Sequence, residues 1–92
     1  MPQSLLVSYD LRGDDETSAD YAGLIATIKG YGNSEQVMLS TWIVVTDRSA
    51  EDVRDQLLRQ IDEDDRLFVG PLSKPAAWHN LMVTTDWMKA RP

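Results

Sequence analysis

Leu5-Leu6-Val7-Ser8-Tyr9-Asp10-Leu11 alternates with the period of a β-strand, Leu5, Val7, Tyr9 and Leu11 falling on one face and Leu6, Ser8 and Asp10 on the other. This is the first strand. The polar run Arg12 to Thr17 follows as a loop, and Thr17-Ser18-Ala19-Asp20 then offers a hydroxyl cap with a carboxylate behind it for the open N–H groups of a helix start. Tyr21, Leu24, Ile25 and Ile28 recur at i, i+3, i+4 and i+7, which predicts a helix over Ser18 to Tyr31. Gly30-Tyr31-Gly32-Asn33 supplies residues that tolerate positive φ where that helix must stop.

The segment Gln36 to Thr46 is dense in β-branched and aromatic residues and long for a single strand, so it reads as two strands or one kinked strand bending near Ser40-Thr41. Ser49-Ala50-Glu51-Asp52 caps a second helix, predicted over Ser49 to Ile61, with Ala50, Val53, Leu57 and Ile61 as its buried stripe. The acidic run Asp62 to Asp65 ends it. Arg66 to Leu72 is the last clear strand, and Pro71 marks a far end where one side of the chain has no ladder partner.

Strand, helix, strand pair, helix, strand is the order of two βαβ halves, which predicts an α+β ferredoxin-like sandwich with both helices on one face of an antiparallel sheet. Its expected core is Val7, Leu24, Ile25, Ile28, Val53, Leu57 and Ile61. Residues 1–72 make up this domain, and 73–92 form a C-terminal tail that docks on the domain or on a dimer partner. The tail must dock somewhere, since Trp78, Leu81, Met82, Val83, Trp87 and Met88 all lie in it. Within it, Ala76 to Leu81 and Thr85 to Ala90 are candidate helical turns. The sheet face opposite the helices carries Leu6 and residues of the Trp42 to Val45 run, an apolar surface expected to meet a second copy of the chain.

Composition narrows function. A chain of 92 residues with 42% apolar and 26% charged content is one small domain, with a thin core that gains from self-association. It has no cysteine, which excludes a disulfide scaffold, a Cys-based zinc site and a thiol nucleophile, and points to the cytoplasm. No apolar run is long enough to span a membrane, and Met1-Pro2-Gln3-Ser4 lacks the basic start of a signal peptide. A formal charge of −6, with Lys and Arg scattered singly, disfavours a general coat on DNA or RNA. Contact with nucleic acid is then expected to be local, metal-assisted or supplied by a partner.

A first strand ending in Tyr9-Asp10, a helix, the Val37 to Trp42 strand, a capped helix and the strand begun by Asp65-Arg66-Leu67 together resemble the second CRISPR-associated protein family and its stand-alone SinR-like relatives. The resemblance spans about Leu5 to Leu72. It implies a ferredoxin-like protomer, a homodimer, and a role in spacer acquisition or antiviral defence. Some members are Mg²⁺-dependent endonucleases and others are structural. The virulence-associated D ribonucleases share the fold. Matched by position, the family's strand-end aspartate is Asp10, the candidate catalytic and Mg²⁺-binding residue, which two-fold symmetry would bring near its copy. The acidic Asp14-Asp15-Glu16 loop departs from the family pattern.

Other candidates carry less chemistry. Asp10 as a turn carboxylate, or as the partner of Arg12, is the plainer reading of that residue. Tyr9 reads as a core aromatic, and Ser8 as an outward polar group with no base beside it. His79 is the only histidine, so a triad or a His-rich metal site would rest on it alone. Neither Asp14-Asp15-Glu16 nor Asp62-Glu63-Asp64-Asp65 has the ligand spacing of a calcium loop, and Gly30-Tyr31-Gly32 lacks the Lys and Ser/Thr of a phosphate loop. Two functions are therefore expected to compete: a divalent-metal-dependent nuclease or its inactive derivative acting through paired Asp10, and an acidic, non-catalytic adaptor for a basic partner protein.

Overall fold

The structure, a computed structural model, describes residues 2–11, 22–73 and 76–90. Its elements run β1 (Gln3–Asp10), α1 (Ala22–Lys29), β2 (Asn33–Met38), β3 (Thr41–Thr46), α2 (Ala50–Leu58), β4 (Arg66–Pro71) and α3 (Thr85–Lys89). The architecture is α+β, a four-stranded sheet ordered β2-β3-β1-β4 with every neighbouring pair antiparallel. It follows that β1 and β2 run the same way on either side of β3, and β3 and β4 on either side of β1. No helix among the described residues is long and apolar enough to cross a membrane.

The alternation in β1 sorts the two faces as read from the sequence. Leu5, Val7 and Tyr9 pack with Trp42 and Val44 of β3, Leu24 and Ile28 of α1, and Val53 and Leu57 of α2, so both helices cover one face. Leu5, Val7, Leu24, Ile28, Val44, Val53 and Leu57 have no accessible surface. Burying each such aliphatic side chain contributes about 1.5–3 kcal/mol. Within this layer Trp42 Nε1–H donates to the Tyr9 hydroxyl at 3.1 Å, giving both aromatics a polar partner as they are buried. The expected core residues Ile25 and Ile61 pack against the cluster and are only partly buried.

Several boundaries differ from expectation. The long segment is two strands, joined by a turn at Leu39 and Ser40, and the first of them starts as early as Asn33. A register shift between Gln36 and Met38 makes Val37 an extra residue opposite β3, a β-bulge that brings Met38 onto the same face as Val37, whose side chain lies in the layer of Ile43 and Met88. The first helix ends at Lys29, before the expected Tyr31, because Gly30 already shares its N–H between the carbonyls of Ala26 and Thr27 and Gly32 follows at φ +91°. Its expected start at Ser18 lies outside the described residues. The second helix is capped by Ser49, whose hydroxyl accepts from the Asp52 N–H at 3.1 Å, and ends at Leu58 rather than Ile61. Asp62 to Asp65 then closes on itself, the Asp65 N–H donating to the Asp62 carbonyl and the Asp62 N–H to Asp65 Oδ2. Pro71 sits opposite Leu5 at the sheet edge, and Leu72 N–H continues the ladder to the Ser4 carbonyl at 2.9 Å. The missing Pro71 N–H therefore falls on the outer side of an edge strand.

The face expected to lie bare is covered in part by the chain's own tail. Met88 packs on Val37 and Ile43, with Leu6, Leu72, Trp78, Leu81, Val83 and Trp87 around them. The Met82 N–H donates to the Val37 carbonyl at 3.0 Å, which ties the tail to the bulge. Thr84 caps α3 through its hydroxyl, while Ala76 to Leu81, expected as a helical turn, forms bends instead.

Two substitutions test this packing by chemical denaturation. Leu57→Ala should lower stability by about 2–5 kcal/mol, as expected for a large side chain lost from a sealed core. Tyr9→Phe should cost roughly 1–3 kcal/mol by stranding the buried Trp42 N–H. Unchanged midpoints would contradict the core described here.

Candidate functional site

Asp10 closes β1 on the face away from α1 and α2, directly opposite Arg66, the first residue of β4. Arg66 Nη1 donates to Asp10 Oδ2 at 3.0 Å, and the two side chains remain 69% and 61% exposed. Among the described residues its partner is this cross-strand arginine, and the expected pairing with Arg12 lies outside them. One row inward Ser8 stands between Thr41 and Phe68, its hydroxyl 3.2 Å from that of Thr41. Thr41 is no base, so Ser8 gains no activation as a nucleophile.

The same row extends across the sheet, because Thr41 lies opposite Met38. Met38 and Phe68 flank the two hydroxyls and are 50% and 62% exposed, while Leu39 and Met82 are exposed as well. Phe68 owes its posture to Gly70, two residues along on the same face: a Cβ there would meet the Phe68 ring at 2.9 Å. Tail residues cover the next part of this face, around Leu6 and Ile43, and leave this end open.

Among the described residues no group of three or more His, Cys, Asp or Glu could hold an ion. Asp10 already faces a guanidinium, His79 is exposed on the tail, and Asp14-Asp15-Glu16 lies outside the described residues. The turn Asp62 to Asp65 leads directly into Arg66 and adds negative charge beside the pair. Among the described residues Asp10 itself offers a cation one carboxylate.

Arg66 and the Met38–Phe68 row went unread in the sequence. Arg66 needed the β1–β4 register, which pairs Val7 with Val69, and Met38 needed the bulge; neither shows in composition or periodicity.

No family model and no curated protein matches the chain. It is similar in fold to the crystal structure of a hypothetical protein, TT1823, from Thermus thermophilus, at 24% identity and a TM-score of 0.68, over 90% of this chain and 98% of that one.

An exposed pair of this kind is held by weak, salt-screened attraction. A double-mutant cycle with Asp10→Asn and Arg66→Gln should give a coupling below about 1 kcal/mol that shrinks with added salt. A larger, salt-insensitive coupling would contradict the exposed geometry.

Proposed function

We propose that the chain is a ferredoxin-like protomer of the kind seen in the second CRISPR-associated protein family and its SinR-like relatives. On this reading it works as a homodimeric, non-catalytic scaffold in nucleic-acid processing or defence. The observation that carries this is the contrast at one end of the sheet, where Asp10 is neutralised by Arg66 while Met38 and Phe68 stand uncovered beside it. Support for the fold name comes from the split βαβ arrangement, with β1 and β3 central in the order β2-β3-β1-β4. Support for association comes from the exposed side chains of Met38, Leu39, Phe68 and Met82, and support for an adaptor role from the charge of −6 and the Asp62 to Asp65 turn, which suit a basic protein partner and repel a phosphate backbone.

A Mg²⁺-dependent nuclease is the second reading. It is favoured by the exposure of Asp10 at a strand end, where a two-fold axis could bring a second Asp10 close and supply two hard oxygen ligands. Displacing Arg66 from each carboxylate is the cost of that arrangement.

Light scattering should give twice the 10.4 kDa of one chain at micromolar concentration, and a monomer mass would overturn the dimer. With Mg²⁺ or Mn²⁺, the protein and its Asp10→Asn variant should both leave single- and double-stranded DNA and RNA intact. Robust cleavage that Asp10→Asn abolishes would replace the scaffold by the nuclease.

A further inference from the structure

Away from Asp10, the end of α1 with the turn after it, the end of β3 with the residues after it and the last turn of α2 border an open cleft of about 360 Å³, lined by Thr27, Gly30, Tyr31, Thr46, Arg48 and Gln56. That volume lies at the lower end of the range of small-ligand sites, which run roughly 300–1,000 Å³. Its hydrogen-bonding groups are unevenly spent. The Tyr31 hydroxyl donates to Gln56 Oε1, which occupies the amide's acceptor and leaves its Nε2 hydrogens. Thr46 Oγ1 accepts the Arg48 N–H at 3.2 Å and keeps its own hydroxyl proton. Thr27 has already given its proton to the Gly23 carbonyl at 2.8 Å. The Arg48 guanidinium forms no ion pair with any carboxylate among the described residues.

The side chains lining the cleft thus keep donors on three residues, Thr46, Arg48 and Gln56, one of them cationic. A ligand that satisfies them brings acceptors and negative charge. We infer that this cleft binds a small phosphate monoester, its phosphate oxygens on Arg48, Thr46 and Gln56 and the rest of the molecule along the Tyr31 ring. Phosphate fits this set because it offers several acceptor oxygens to a planar guanidinium and two neutral donors at once. Burial, opposed by Arg48 and reinforced by Asp52, pushes the Tyr31 phenol above its ordinary value, so the ring stays neutral and its hydroxyl holds Gln56 in place. Asp52 nearby limits affinity to the modest range. The inference does not depend on the state of Asp10 or on dimerisation.

Titration of the ¹⁵N-labelled full chain with inorganic phosphate and with adenosine monophosphate tests it by chemical shift. Both probes should give saturable shifts at Thr46, the Arg48 side chain and the Gln56 amide, the nucleotide binding more tightly than phosphate. Arg48→Gln should weaken both by about tenfold or more, the loss expected for one charge-assisted contact. Arg59→Gln, which removes an exposed charge at the end of α2, should leave the titration unchanged. Either no saturable shift at these groups, or equal weakening by the two substitutions, would overturn the site and leave only diffuse attraction of anions to arginine.

Discussion

A β-strand sends successive side chains to opposite faces, and in β1 that constraint operates at the middle of the sheet, with β3 on one side and β4 on the other. Leu5, Val7 and Tyr9 must then meet the helices while Leu6, Ser8 and Asp10 look the other way. A slip of one residue would bury Asp10 and Ser8 beneath α1 and α2 and expel Leu5 and Val7, so the register is fixed by the cost of that exchange. The cross-strand partners inherit the same parity: Trp42 and Val44 face the helices, and Ile43 faces the tail.

The two faces are finished differently, and the difference divides the molecule's chemistry. The helix-covered face is closed by sealed aliphatics and the Trp42–Tyr9 hydrogen bond, and the Tyr31 cleft opens at its rim. The other face is covered only partway by Met88 and the tail tryptophans. Its open end carries exposed Met38 and Phe68 on either side of the Ser8 and Thr41 hydroxyls, with the Asp10–Arg66 pair at the strand ends.

Local signals were legible where one residue's neighbours in sequence were also its neighbours in space. The parity of β1, the stripe of Val53 and Leu57 and the Ser49 cap follow from period and spacing alone. The helix ends came out short because Gly30 and Arg59 close their helices with tight turns that a stripe of apolar residues does not register. Asp10 was legible as a strand end, yet its environment was not, because Arg66 is 56 residues away and reaches it only through the β1–β4 register. Val37 reads as a strand residue without its bulge, and the Tyr31–Gln56 contact joins the turn after α1 to α2, two elements whose mutual packing no periodicity encodes.

The tail decides how much of the second face stays open, and its packing on its own chain is the central structural claim. The most direct measurement is an isotope-filtered NMR experiment on a mixture of labelled and unlabelled chains, read at the Met88 methyl and the Ile43 side chain, which lie in one buried cluster. Contacts between them should appear in the unfiltered spectrum and be absent from the filtered one, because both residues belong to the same chain. Cross-peaks that appear in the filtered spectrum would show the tail of one chain lying on the sheet of another, and would contradict the account.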